Sequence, residues 1–216
     1  MNAYIVAGYR SAVGRAKKGG FRFYRPDDLA ADVIKHLTGS IKGFDSTRVD
    51  DLIVGNAIPE AEQGMQMGRM ISLLSLPINV PGMIVNRYCG SGLEAIALAS
   101  ARVHAGTADC IIAGGTESMS LVPMMGYKTA LNHNISSGHP DWYLNMGLTA
   151  EEVAKDFDIS KDDANEFAMK SHQKAAQSIA DGKFKDEIVP VTVEEVFVKD
   201  GKRATIQYTV DTDECV

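Results

Sequence analysis

Short apolar runs alternate with longer stretches of helical period through the first half of this chain. Tyr4 to Ala7, Leu52-Ile53-Val54-Gly55, Met83 to Tyr88 and Asp109 to Gly115 read as strands, the last ending in a glycine pair. Between them, Pro26-Asp27-Asp28 opens a helix whose Leu29, Val33, Ile34 and Leu37 form one apolar stripe. Met65 to Leu76 makes an amphipathic helix stopped by Pro77, and Ser91 to Ala105 makes another, stopped by Gly106. Strand and helix in alternation predict a layered α/β fold with a mostly parallel sheet. The helix from Ser91 carries only Glu94, Arg102 and His104 as ionisable groups, so it is expected to lie deep between layers.

After about Ser120 the rhythm changes. Residues 121–148 show no clear period and read as a long loop. A helix is expected from Thr149, where Thr149 and Glu152 form a capping box, and a longer one from Ser160 to Asp181 before Gly182. Ile188-Val189-Pro190-Val191 then leads into Val196-Phe197-Val198, and Asp200-Gly201 makes a two-residue hairpin turn into Ala204 to Val210. The change of pattern divides the chain into a first part, 1–120, and a second, 121–216, of helices followed by strands.

Composition narrows the function classes. A hydrophobic content of 45% and a charged content of 23% suit an ordinary soluble globular protein. The net charge of −6 weighs against nucleic acid as the main partner, because phosphate binding wants a basic face. No apolar run approaches the ~20 residues that span a bilayer, so no membrane insertion is expected. The chain enters its first strand pattern with no signal or transit peptide ahead of it. Three scattered cysteines make neither a disulfide framework nor a zinc site, so no metal is expected and a reducing, cytoplasmic setting is the default.

One of those cysteines stands out. Val85-Asn86-Arg87-Tyr88-Cys89-Gly90-Ser91-Gly92 is a strand end, a sharp turn carrying a thiol, and the start of an apolar helix. A helix N-terminus carries about half a positive charge and favours thiolate over thiol. The glycines allow the turn and leave room for a substrate to reach the sulfur. Cys89 is therefore the candidate nucleophile. Cys110 sits inside an apolar strand and reads as inert core; Cys215 has no informative context.

The remaining candidates have plainer readings. The glycine-rich loop Gly14 to Phe21, with Arg15, Lys17 and Lys18, is either a phosphate contact or a solvated basic loop, the second being preferred. Met65 to Met70 reads as helical core before acyl pocket, whereas Met124, Met125 and Met146 fall in irregular sequence where packing on an apolar ligand is more plausible. His104, His133, His139 and His172 have neither metal-ligand spacing nor a position that marks a base. Gly114-Gly115 is either a turn or a close approach of backbone to ligand.

Four segments in order carry a family resemblance. Asn86-Arg87-Tyr88-Cys89-Gly90-Ser91-Gly92 resembles the acyl-enzyme motif of thiolases, and Ala113-Gly114-Gly115-Thr116-Glu117-Ser118-Met119-Ser120 resembles their next signature. Met146-Gly147-Leu148-Thr149-Ala150-Glu151 and Phe184-Lys185-Asp186-Glu187-Ile188-Val189-Pro190 are similar to two more. Arg10-Ser11-Ala12, Lys17-Lys18-Gly19-Gly20-Phe21 and Pro26-Asp27-Asp28-Leu29 look most like degradative 3-ketoacyl-CoA thiolases, and the short segment between Met119 and Met146 agrees.

The resemblance implies a thiolase-like half-domain with a partial loop domain, and an acyltransferase working through an acyl-thioester on Cys89. It would cleave 3-ketoacyl-CoA to acetyl-CoA and a shortened acyl-CoA, as in fatty acid β-oxidation, or run the reverse Claisen condensation. Met146 and Leu148, in the third motif, are expected to contact substrate. Coenzyme A is a substrate on this reading and no cofactor is expected. Acyl-CoA and CoA are the implied partners, together with a second copy of the chain in a homodimer or homotetramer, in the cytoplasm if the source is bacterial. Thiolases are longer, and their second half supplies a base histidine, a second cysteine and an Asn-Glu-Ala-Phe segment; none appears here, so the chain is expected to be catalytically incomplete. The alternatives are an acetoacetyl-CoA-specific biosynthetic thiolase and a non-catalytic acyl- or CoA-binding half-subunit.

Overall fold

The computed structural model describes residues 2–216. Three parallel strands form the central sheet in the order β3 (Gly82–Val85), β2 (Asp51–Gly55), β4 (Ile111–Gly115). Helices α1 (Pro26–Ser40) and α2 (Met67–Ser75) are amphipathic, and their Ile34, Met67 and Ile71 pack with Leu52 and Val54 of β2. Helix α3 (Ser91–His104) packs elsewhere on the sheet, burying Ala95 and Ala99 with Ile53. Alternate β2 residues thus serve separate cores, as the two-residue period of a strand requires. Each fully buried Leu or Ile contributes about 1.5–3 kcal/mol.

The strands follow the alternation read from sequence, with two differences. Tyr4, Ile5 and Val6 form no strand and are 79%, 85% and 82% exposed; the first strand is β1 (Arg10–Ser11), which pairs in parallel with β5 (Ile188–Val189). An apolar run becomes a strand only where a neighbour takes up its backbone groups, and among the described residues none does so at 4–7. The strand expected from Met83 to Tyr88 stops at Val85, where Asn86 turns the chain. Helix α3 ends where the sequence indicates, with Gly106 at φ +72°. It is covered on one side alone: Ser91, Ala95 and Ala99 are buried, while Leu93 is 74% and Ile96 43% exposed.

The chain divides into two compact units, and the division differs from the expected one at Ser120. The first unit runs to Tyr127 and takes in Lys185–Cys215 as well; the second is Lys128–Phe184. The hairpin of β6 (Val191–Lys199) and β7 (Lys202–Val210) belongs to the first unit because Val189, Val191, Val193 and Val210 bury together with Ala12 and Phe21. Asp200 and Gly201 both have positive φ, as the two-residue turn requires.

The second unit holds α4 (His133–Gly138), α5 (Met146–Asp156) and α6 (Lys161–Ala180). The stretch 121–148 is therefore not all loop: Asn132 caps α4, and a single 3₁₀ turn follows at Pro140–Tyr143. Helix α5 begins before the expected Thr149, because Asn145 caps it by accepting from the Leu148 N–H and the Thr149 hydroxyl bonds back to the Asn145 carbonyl. Helix α6 starts at the expected Ser160, in a capping box with Asp163.

Candidate active site

The site is built where β2, β3 and β4 end. Beyond Val85 the Asn86 side chain donates to the Ala57 carbonyl (2.8 Å) and accepts from the Tyr88 N–H (2.9 Å). Tyr88 is left-handed, with φ +47°, a conformation that costs a non-glycine residue about 1–3 kcal/mol. Ser91, which is buried, holds the turn from its other side: its hydroxyl accepts from the Arg87 N–H (2.9 Å) and donates to the Tyr88 carbonyl (2.6 Å). Cys89 sits exposed at the tip of this clamp.

Helix α3 begins immediately afterwards. Gly90 is its N-cap and no side chain makes a capping hydrogen bond to the first turn, which carries the acidic Glu94, paired with Arg87 at 2.9 Å. The approach of this helix end to the sheet depends on Gly55, since a methyl group there would collide with the Ser91 and Gly92 backbone. A Cβ on Gly115 would lie 3.0 Å from the Gly55 carbonyl oxygen and 3.6 Å from the Gly92 Cα. Neither a turn nor an approach to a ligand describes the glycine pair here: at Gly115 the chain packs closely on its own backbone.

Behind the turn lies a polar cluster. Glu117, just past β4, accepts from the Ala57 N–H (2.7 Å) and Asn56 Nδ2 (3.1 Å) on one carboxylate oxygen, and from Gln63 Nε2 (2.6 Å) on the other. Gln63 and Asn56 are 0% and 1% exposed. Asn86 and Glu117 lie inside motifs recognisable in the sequence, but their roles were hidden there, because the hydrogen bonds cross between loops far apart in the chain.

The other candidates fall into place separately. Cys110 is half-buried against the cluster around Leu52, and burial, with the nearby Asp50 carboxylate, pushes its thiol pKa up. Cys215 is exposed. Met67 is core as expected, whereas Met65, Met124 and Met125 are exposed. Met146 and Leu148 stand exposed on the first turn of α5, in the second unit. His139 stacks on Trp142, with ring centroids 4.2 Å apart. The glycine-rich loop does hold an anion, but one from the chain itself: the Arg15 and Gly20 N–H groups each donate to the Glu214 carboxylate at 2.8 Å. An apolar cleft of about 450 Å³ opens beside β4 and α1; Cys89 does not line it. Among the described residues, no group of three or more His, Cys, Asp or Glu could hold a metal ion.

Comparison with known proteins gives the family. The family described as "Thiolase, N-terminal domain" matches residues 3–216. The chain belongs to the thiolase family. It is 49% identical over 217 residues to a 3-ketoacyl-CoA thiolase of Bacillus subtilis, covering 99% of this chain and 55% of that protein. It is 38% identical to the peroxisomal 3-ketoacyl-CoA thiolase 1 of Arabidopsis thaliana over 96% of this chain and 47% of the relative. A 3-ketoacyl-CoA thiolase of Acinetobacter baumannii is 40% identical over 87% of this chain and 48% of its own length. The chain thus spans about half the length of the curated relatives it matches. The thiolase α/β half-domain expected from the motifs is the fold observed, with six α-helices among the described residues and a parallel central sheet.

Proposed function

We propose that this chain carries the acyl-accepting nucleophile of a 3-ketoacyl-CoA thiolase. The observation that carries the reading is the exposed Cys89 at the tip of a doubly clamped turn, directly before a helix end with no side-chain cap. The Cys89 thiolate attacks the 3-keto carbonyl of a 3-ketoacyl-CoA. The C2–C3 bond breaks, its electron pair leaves on C2 of the acetyl-CoA portion, and a proton is delivered there. The acyl group stays on sulfur as a thioester until the thiolate of free CoA displaces it, which returns the cysteine and releases the shortened acyl-CoA.

The similarity to 3-ketoacyl-CoA thiolases supports acyl-CoA and CoA as substrates and a degradative direction, as in β-oxidation. Met146 and Leu148 are proposed to touch substrate, as exposed apolar side chains within a family motif. Self-association is proposed through β3, an edge strand of the central sheet that pairs, among the described residues, with β2 alone. No helix among the described residues is long and apolar enough to cross a membrane.

Brief alkylation with iodoacetamide followed by peptide mapping tests the nucleophile. Cys89 is expected to label faster than Cys110 and Cys215. Cys89→Ser is expected to abolish thiolysis of acetoacetyl-CoA in a preparation that includes the rest of the thiolase fold. Full turnover by that variant overturns the assignment.

A further inference from the structure

We infer that Glu117 and Asn86 are positioning residues for Cys89, joined in one hydrogen-bond relay through the backbone of Ala57; the inference rests on Cys89 being the nucleophile. Ala57 is the pivot. Its N–H is held by the Glu117 carboxylate at 2.7 Å, and its carbonyl accepts from Asn86 Nδ2 at 2.8 Å. The Asn86 Oδ1 in turn accepts from the Tyr88 N–H at 2.9 Å. Tyr88 is the left-handed residue immediately before the cysteine, so its orientation sets where the Cys89 backbone leaves the turn. A left-handed non-glycine residue persists only when its surroundings over-determine it. Here they do so at both of its ends, with Asn86 on its N–H and Ser91 on its carbonyl.

Glu117 is itself placed firmly enough to anchor the relay. Its other oxygen accepts from Gln63 Nε2 at 2.6 Å, and Gln63 is fully buried and bound again to the Ile58 carbonyl (2.7 Å) and the Ser118 N–H (2.5 Å). Among the described residues no Lys or Arg forms an ion pair with Glu117. All three of its hydrogen bonds run to the loops after β2. The carboxylate therefore fixes the 56–63 segment, and that segment fixes the cysteine turn through Asn86. No contact of Glu117 with Cys89 is required.

A double-mutant cycle read at the sulfur tests this. In the chain as it stands, the iodoacetamide rate of Cys89 is measured by peptide mapping for wild type, Asn86→Ala, Glu117→Ala and the double variant. Cys110 and Cys215 serve as internal references. Each single change is expected to slow Cys89 about tenfold, the scale of one lost hydrogen bond to a charged or buried group. The double variant is expected to slow it by about the same tenfold, because two links of one relay do not add. Glu117→Gln, which keeps an oxygen to accept the Ala57 N–H, is expected to recover most of the rate. A merely structural role would lower the melting temperature and change all three cysteines together. That result, an additive loss of about a hundredfold, or an unchanged or faster Cys89 overturns the inference. If the alanine variants do not fold, Glu117→Gln and Asn86→Asp decide by the same comparison. Asn86→Asp keeps the acceptor for Tyr88 and loses the donor to Ala57, and is expected to slow Cys89 selectively. A wild-type Cys89 no faster than Cys215 would instead count against the nucleophile itself, while the ratio between variants still judges the relay.

Discussion

Arg10 holds the Asp213 carboxylate with two parallel hydrogen bonds, 2.7 and 3.0 Å long, although the residues stand 203 positions apart. The guanidinium also bonds Glu187 at 2.7 Å, so one side chain ties β1 to β5 and to the segment after β7. Hydrogen bonding to Arg10 holds the Asp213 carboxyl below the usual carboxylate range, with the Val13 N–H and the Arg10 charge assisting and partial burial opposing. A depressed carboxyl stabilises the fold above its unfolded pKa, about 4, and loses that contribution as pH falls through the folded value. Asp213→Asn is expected to cost on the order of 2 kcal/mol near pH 7. The gap between wild type and variant should close below about pH 4. Urea melts from pH 7 to pH 3 check both; a gap that persists in acid refutes the linkage.

Glu214 is expected to keep the glycine-rich loop closed. Its carboxylate is the acceptor for the Arg15 and Gly20 N–H groups, and Gly19 packs so closely on it that a side chain there would collide. In Glu214→Ala, amide exchange should accelerate at Arg15 and Gly20 and stay unchanged at Ile53 and Val54 in the core. Unchanged exchange in the loop would show that other contacts keep it shut.

Gly55→Ala is expected to damage the cysteine turn from the sheet side. The added methyl meets the Ser91 and Gly92 backbone, which has no flexible side chain to move away, so α3 must shift. Overpacking of this kind costs about 1–3 kcal/mol. The measurement is the melting temperature together with the Cys89 alkylation rate, and both should fall. Gly114→Ala is the control, because a Cβ there meets nothing within 4 Å.

Cys110→Ala is expected to cost on the order of 1 kcal/mol and to leave Cys89 labelling unchanged. Burial pushes its thiol toward the neutral form, and its neighbours are the apolar residues around Leu52. Faster labelling of Cys110 than of Cys89 in the wild type would reverse the roles given to the two cysteines.

Ser160→Ala removes one half of the box in which the Ser160 hydroxyl accepts from the Asp163 N–H at 3.1 Å. About 1 kcal/mol of local helix stability should be lost. Because no residue of α6 is buried, the loss should show as faster amide exchange in its first turn and leave the melting of the first unit unaltered.

Features whose causes lie within a few residues were legible in the sequence alone. The Pro26 start of α1, the Ser160 start of α6, the Gly106 stop and the Asp200-Gly201 turn all appear where their side chains require them, since caps and tight turns are decided by groups one turn apart, although the capping box lies at Ser160 and not at the expected Thr149. The Cys89 turn belongs with these, being a strand end, glycines and an apolar helix in one contiguous stretch. Tertiary structure decided whatever needs a partner from elsewhere in the chain. Tyr4 to Val6 has the composition of a strand and no neighbour to pair with, whereas Arg10 and Ser11 become one because Ile188 and Val189 lie beside them. Residues 185–215 join the first unit because Val191, Val193 and Val210 find Ala12 and Phe21 to bury against. The Glu117 relay is of the same kind: three loops meet there only once β2, β3 and β4 have aligned, and hydrogen bonds between separate loops leave no periodic trace in a sequence.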